Sequence, residues 1–331
     1  MHTKVITDPV AAAKEITDGN IVALPTETVY GLGASALYAD AVLKIFNAKE
    51  RPLFNPLIVH IYSKDEFSKY AENIPESAYK LIDKFSPGPI TYVFQRRNPE
   101  NDIIPQIVSS GLSSIALRLP SHSLFREVLK ISGQPICAPS ANRFGKISPV
   151  SATDVLKELD GKIRYILDGG KCSVGIESTV ISFFNEVPEI LRPGAITAES
   201  IMSVIGEIKQ PIEEEISHSP GMLKDHYAPN KELLIINKIN EEITDEAKRN
   251  KIKNIPDGKP GILVLSGYSD LNKAAIDLFS KLRELDESDL DYLIAESVPD
   301  TGIGIAINDR LKKAASGSIQ NINGELKVIP K

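Results

Sequence analysis

The chain has 331 residues, 42% of them hydrophobic and 25% charged, and a formal net charge of −6. This length makes two domains the natural expectation, and this composition is that of an ordinary globular protein with enough apolar residues for a core. The charge excludes the basic excess that non-specific nucleic-acid binding needs: residues 1–200 carry 21 Lys and Arg against 22 Asp and Glu, and residues 201–331 carry 17 against 22.

No apolar secretory stretch stands at the N-terminus and no run approaches a membrane span, so a cytoplasmic protein is expected. Residues 20–25 read as a strand, followed by a polar loop, Thr26 to Gly33, with hydroxyls at 26, 28 and 30 that would line one side of an extended backbone. Asp40 is expected to cap a helix that runs to Lys49. Leu57–Ile61 reads as a buried strand, 76–85 as a helix stopped by Ser86 and Pro87, and 90–95 and 114–119 as strands. An amphipathic helix over 122–132 precedes a strand at 135–138; helix 151–159 and strand 164–167 follow. Strands at 178–184 and 189–191 form an expected antiparallel pair. These signals predict one mixed α/β domain over residues 1–210. Residues 211–231, rich in Pro and Gly, read as a linker that could fold back as a lid. Residues 232–331 alternate strand (233–236), helix (241–250), strand (261–265), helix (271–285), strand (292–296) and helix (304–315), the pattern of a small Rossmann-like α/β domain.

Three stretches could carry chemistry. Lys49 and Arg51 end a helix before Pro52 and Pro56. Either they offset the helix dipole, or, spaced by two, they grip one anion together. Ser140 and Asn142 have the same spacing beyond a strand end, where ligands bind in open α/β sheets; a plain turn explains them too. Arg118 stands within an apolar strand, and a buried guanidinium demands an anionic partner, either an internal carboxylate or that of a ligand. There is no P-loop, the Gly302–Gly304 stretch lacks the third glycine of a dinucleotide fingerprint, and no catalytic triad or histidine-rich metal spacing occurs. Cys137 and Cys172 read as small buried hydrophobes.

In combination, Pro25–Leu32, Lys49-x-Arg51, Ser140-x-Asn142, Glu177–Ile181 and Leu191–Gly194 resemble, in order, the YrdC-type threonylcarbamoyl-AMP synthases. The Pro/Gly-rich linker and C-terminal α/β domain resemble the long, two-domain form. The resemblance implies a large twisted mixed open sheet with a concave active face, a nucleotidyltransferase. Its reaction would join L-threonine, bicarbonate and ATP into threonylcarbamoyl-adenylate and pyrophosphate, for modification of the adenosine beside a tRNA anticodon. Lys49 and Arg51 would be catalytic. With Asn55, Ser114, Ser140, Asn142, Ser148, Arg192 and Tyr227 they would hold ATP. Thr28, His60, Arg118, Ala138 (through its backbone) and Ser178 would hold threonine. Mg²⁺ would be held mainly by ATP phosphates, with no dedicated protein cage. The implied partners are the transferase machinery that receives the adenylate and, at most weakly, tRNA, with no membrane. Two rival readings are an RNA-binding module without chemistry and a carbamoyl transferase of hydrogenase maturation; the latter would need zinc-finger segments for which the chain has no cysteine set.

Overall fold

The structure, a computed structural model, describes residues 2–98, 100–209, 226–265, 267 and 270–331. Most of the expected linker, residues 210–225, lies outside the described residues. The chain divides into two compact units: Met1–Phe144 with Ser148–Leu223, and Gly145–Ile147 with Lys224–Lys331. The second unit therefore begins a few residues before the expected 232, and it includes a three-residue piece of the expected first domain.

The strands of the first unit are β1 (Lys4–Ile6), β2 (Val22–Leu24), β3 (Gly31–Ser35), β4 (Ile58–His60), β5 (Ala71–Glu72), β6 (Ile90–Arg96), β7 (Ser114–Arg118), β8 (Ile136–Cys137), β9 (Tyr165–Leu167), β10 (Thr179–Ser182) and β11 (Glu189–Arg192). They form one mixed sheet in the order β1-β9-β2-β3-β8-β4-β7-β6-β10-β11, with β5 beside β6. The expected β10–β11 pair is antiparallel, as the alternation around its turn required. Helices Pro9–Thr17 and Ser123–Ser132 bury Ala12, Ile16, Phe125, Val128 and Leu129 against Val22, Leu24, Ile136 and Leu167. Phe125, Val128 and Leu129 lie at the i, i+3, i+4 spacing of a single helix face. Helix Glu76–Phe85 buries Ala78, Leu81 and Ile82 in the same spacing.

Several expectations need correction. Gly31 and Gly33 are not loop: they belong to β3, every residue of which is buried. A Cβ at Gly33 would meet Leu24 at 2.8 Å, so the glycine follows from a crowded sheet rather than from a turn. The hydroxyls at 26, 28 and 30 do not share a side. Thr26 and Thr28 bond each other at 2.7 Å in a turn, whereas Tyr30 donates to the Gly170 carbonyl at 2.8 Å. Asp40 is not the cap of helix Ala39–Lys49. Tyr38 holds that position, and Asp40 stands in the first turn, where its charge still offsets the dipole.

The second unit holds β12 (Glu232–Ile236), β13 (Pro260–Leu263), β14 (Tyr292–Glu296), β15 (Gly317–Ile322) and β16 (Glu325–Pro330), ordered β13-β14-β12-β15-β16. β12, β13 and β14 run parallel, as expected of a Rossmann-like alternation; the unexpected β15 also runs parallel to β12, and the unexpected β16 closes an antiparallel hairpin on it. The helix expected over 241–250 is two short ones, Glu241–Thr244 and Glu246–Arg249. Asp245 leaves the helical region there and caps the second by accepting from the Lys248 amide. Gly302, at a φ of 53°, precedes helix Ile303–Ala314, so the glycines there open a helix. Both cysteines are free and buried, and burial pushes each thiol up to about 12, consistent with their reading as small hydrophobes.

Candidate functional site

Strand pairing assembles the site in the first unit. β4 runs antiparallel to β8 and parallel to β7, which sets His60 between Ile136 on one side and Arg118 on the other. The Ala138 amide donates to the Ile58 carbonyl at 3.0 Å, continuing the ladder towards Ser140 and Asn142. The segment before β4 is thereby brought beside the segment after β8. Lys49 and the Ser140/Asn142 pair, about ninety residues apart, meet there: Lys49 Nζ donates to the Ser140 carbonyl at 2.6 Å and to the Asn142 carbonyl.

Arg51 lies beside this group. Its Nε and Nη2 donate to the carbonyls of Asn55 and Pro56 at 3.2 and 3.1 Å, and its guanidinium stands 5.9 Å from the centre of the Phe144 ring. Lys49 is 1% exposed and Arg51 8%, and among the described residues neither has a carboxylate partner. Burial, then the Arg51 charge, pulls the Lys49 ammonium well below the usual lysine range, and burial pulls Arg51 down to about 9. Asn55 is buried as well, and its side-chain amide nitrogen has no hydrogen-bond partner. Two buried cations and an unsatisfied donor lie together here, the cations hydrogen-bonded to neutral carbonyls, a combination chemically suited to an anion.

The second group surrounds Arg118. Its Nη2 lies 2.8 Å from Glu27 Oε1, with both side chains almost wholly buried. Burial of Glu27 raises its pKa, but the Arg118 charge and contact outweigh it and hold the carboxyl below its usual range. Of the two partners the sequence allowed for Arg118, the internal carboxylate is the one present, and sequence reasoning missed it. The acid one residue before Thr28 was the signal available.

His60 is buried, and burial, then the Arg118 charge, lowers its pKa to about 3, so it is neutral. Its Nδ1 lies 3.3 Å from the Ile136 carbonyl, which can only accept. A proton on Nδ1 satisfies that contact. Ser178 shares a 2.8 Å hydroxyl contact with Thr91, a residue the sequence did not single out. Arg192 donates to the Ser178 carbonyl at 2.9 Å and to its hydroxyl at 3.1 Å. A Cβ at Gly194 would stand 2.3 Å from the Thr179 nitrogen, so glycine alone lets the chain after Arg192 lie against Ser178. Ser148 donates to Glu177 at 2.6 Å, next to Ser178 in the chain.

Two expected residues stand apart from these contacts. Ser114 begins β7, four residues from Arg118, and lines a small crevice with Pro56, Leu57 and Val108. Tyr227 belongs to the second unit, where its fully buried ring stacks on Phe279 at 5.4 Å and lies 5.8 Å from the Arg310 guanidinium. Among the described residues no group of three or more His, Cys, Asp or Glu could cage a metal.

Comparison with known proteins places the chain in a family. A family model described as "Telomere recombination" matches residues 14–194, and one described as "Threonylcarbamoyl-AMP synthase, C-terminal domain" matches residues 196–316. A Bacillus subtilis threonylcarbamoyl-AMP synthase is 40% identical, with 93% of each chain covered. A Pyrococcus abyssi protein of the same name is 39% identical over 92% of this chain and 93% of its own. The crystal structure of P. abyssi Sua5 complexed with L-threonine matches with a TM-score of 0.85 at 37% identity, covering 95% of this chain and 98% of that one.

Fold and site thus define an α/β protein with a buried cationic group in the same unit as a polar, partly charged cluster. The chain belongs to the threonylcarbamoyl-AMP synthase family, in its two-domain form.

Proposed function

We propose that this chain is a nucleotidyltransferase that converts L-threonine, bicarbonate and ATP to threonylcarbamoyl-adenylate and pyrophosphate. The product would serve threonylcarbamoylation of the adenosine beside a tRNA anticodon. The observation that carries the reading is the Lys49–Arg51 pair, buried without a carboxylate hydrogen-bond partner in the same unit as the polar cluster around Arg118.

The chemistry asks little of the protein in covalent terms. Threonine's amine and bicarbonate give a carbamate and water. A carbamate oxygen then attacks the α-phosphorus, and the bond to pyrophosphate breaks. The nucleophile is already an anion, so no activated side chain is needed; the task is positioning and charge stabilisation. MgATP is the substrate, its triphosphate facing Lys49, Arg51 and the Asn55 amide, with Ser114, Ser140, Asn142, Ser148 and Arg192 as further nucleotide contacts. Arg118 and Ser178 take the threonine carboxylate, the Ala138 backbone and Thr28 fix its orientation, and the neutral His60 ring contacts its hydroxyl. The working compartment is the cytoplasm, and the adenylate passes to a separate transferase.

Pyrophosphate release tests this directly. Release from ATP should require threonine and bicarbonate together, with the adenylate identified by mass spectrometry. Release that ignores either co-substrate would overturn the reading.

A further inference from the structure

The turn over residues 52–55 adjoins the anion site and contains two side chains that the reaction above does not use. Phe54 is 67% exposed, more than any other large apolar side chain among the described residues, and Leu53 is 55% exposed. Single exposed hydrophobes are ordinary on a protein surface. Two in succession at the tip of a turn whose flanking residues, Arg51 and Asn55, are buried and polar are a different arrangement.

The turn is held firmly. The Asn55 amide donates to the Pro52 carbonyl at 3.2 Å, and the Arg51 guanidinium bonds the Asn55 and Pro56 carbonyls from beneath. The Leu57 amide then anchors the exit on the Val108 carbonyl at 2.8 Å. An aromatic ring presented on a clamped turn loses little freedom when a flat partner covers it. The partner's chemistry follows from the neighbours. Arg51, three residues from Phe54, faces no carboxylate, and a nucleotide carries its flat aromatic base one ribose away from its phosphates.

We propose that Phe54, backed by Leu53, stacks on the nucleobase of the bound nucleoside triphosphate. The inference rests on the ATP-binding reading and adds the contact that holds the base. A phenyl face stacks on any base, so Phe54 distinguishes a nucleotide from an inorganic polyphosphate and does not select adenine over guanine.

The chain contains no tryptophan, so Phe54→Trp introduces a single fluorescent reporter at the turn. MgATP and MgGTP should each quench it, and tripolyphosphate, which has the charge without the base, should not. Phe54→Ala should weaken ATP binding by about 5- to 100-fold, the range for loss of one base–aromatic stack, while tripolyphosphate binds as before. Because the side chain is exposed, both variants should fold; circular dichroism checks this. The inference is overturned if Phe54→Ala binds ATP within twofold of wild type, or if tripolyphosphate quenches the tryptophan as ATP does. Wild-type protein that binds tripolyphosphate but no ATP would remove the ATP reading as well, whereas wild type that binds ATP beside an unaffected Phe54→Ala removes only the stacking contact.

Discussion

The first unit buries charge in two ways. Arg118 carries its own counter-ion, Glu27, at 2.8 Å, and the acid is held ionised by that contact. Lys49 and Arg51, buried as deeply, are hydrogen-bonded to carbonyl oxygens and not to a carboxylate, and burial lowers the pKa of each. A pair whose charges cancel contributes to structural integrity, whereas two like charges without a counter-ion cost stability that a bound anion would offset.

Removing one charge from each arrangement should therefore give unequal stability results. Glu27→Gln leaves Arg118 buried and alone, and should cost about 3–5 kcal/mol in urea unfolding. Lys49→Met, similar in shape and uncharged, relieves the burial of a charge but leaves the Ser140 and Asn142 carbonyls without their donor, and should cost less, about 1–2 kcal/mol. The same Lys49 variant should slow pyrophosphate release by about 10²–10³-fold, the scale of a lost transition-state donor. Equal destabilisation by the two substitutions would erase the distinction.

A second experiment sharpens it. A triphosphate bound beside Lys49 favours the protonated amine, so its pKa rises towards and beyond the ordinary 10.5 on binding. Between the free-site and bound values, ATP binding should take up a proton, and affinity should fall as pH rises, by up to about tenfold per unit. Calorimetry in buffers of differing ionisation enthalpy measures the uptake, and Lys49→Met should abolish it. Threonine binding at the Arg118 group should show no Lys49-dependent uptake.

The smallest effect concerns His60, which neighbours the completed pair. Its pKa is lowered from 6.5 to about 3 in the folded chain, so the unfolded chain gains its proton first as pH falls. Stability should drop from pH 6.5 downward by about 1.4 kcal/mol per unit, or about 2 kcal/mol by pH 5. Glu27, lowered from 4.5, loses its contribution only below that value, so the slope between pH 6.5 and 5 belongs to His60 and to His122, whose pKa burial also lowers. Urea midpoints at pH 7, 6 and 5 should show the slope, and His60→Gln should reduce it.

The mixed α/β character and most elements were legible from hydrophobic period, because 76–85, 122–132 and 271–285 each present one apolar face. The two residue pairs of the anion site were visible as motifs, but their meeting was not, since it depends on the antiparallel pairing of β4 with β8. Glu27 escaped for the same reason: it meets Arg118 across 91 positions of chain, and no local pattern marks a partner that distant. β3 was hidden by glycines that read as a loop and are required by crowding against Leu24. The β15–β16 hairpin was missed although its signal was present. Asn323 and Gly324 both have positive φ, and Asn-Gly is the favoured two-residue hairpin turn.

The order of strands in the large sheet also has a consequence for how the chain is made. β1 pairs only with β9, Lys4 against Tyr165, and β2 also takes β9 as a parallel neighbour. Helix Pro9–Thr17, lying between them in sequence, finds its apolar cover on helix Ser123–Ser132. At about 5–20 residues per second, a ribosome adds the intervening stretch in roughly ten to thirty seconds. For that interval Val22 and Leu24 are without β9, and Ala12 and Ile16 are without much of their packing. Closing such long loops is slow on entropic grounds as well. Residues 4–24 are thus made well before the neighbours they pack against, and while nascent they offer apolar surface that a holding chaperone could grip.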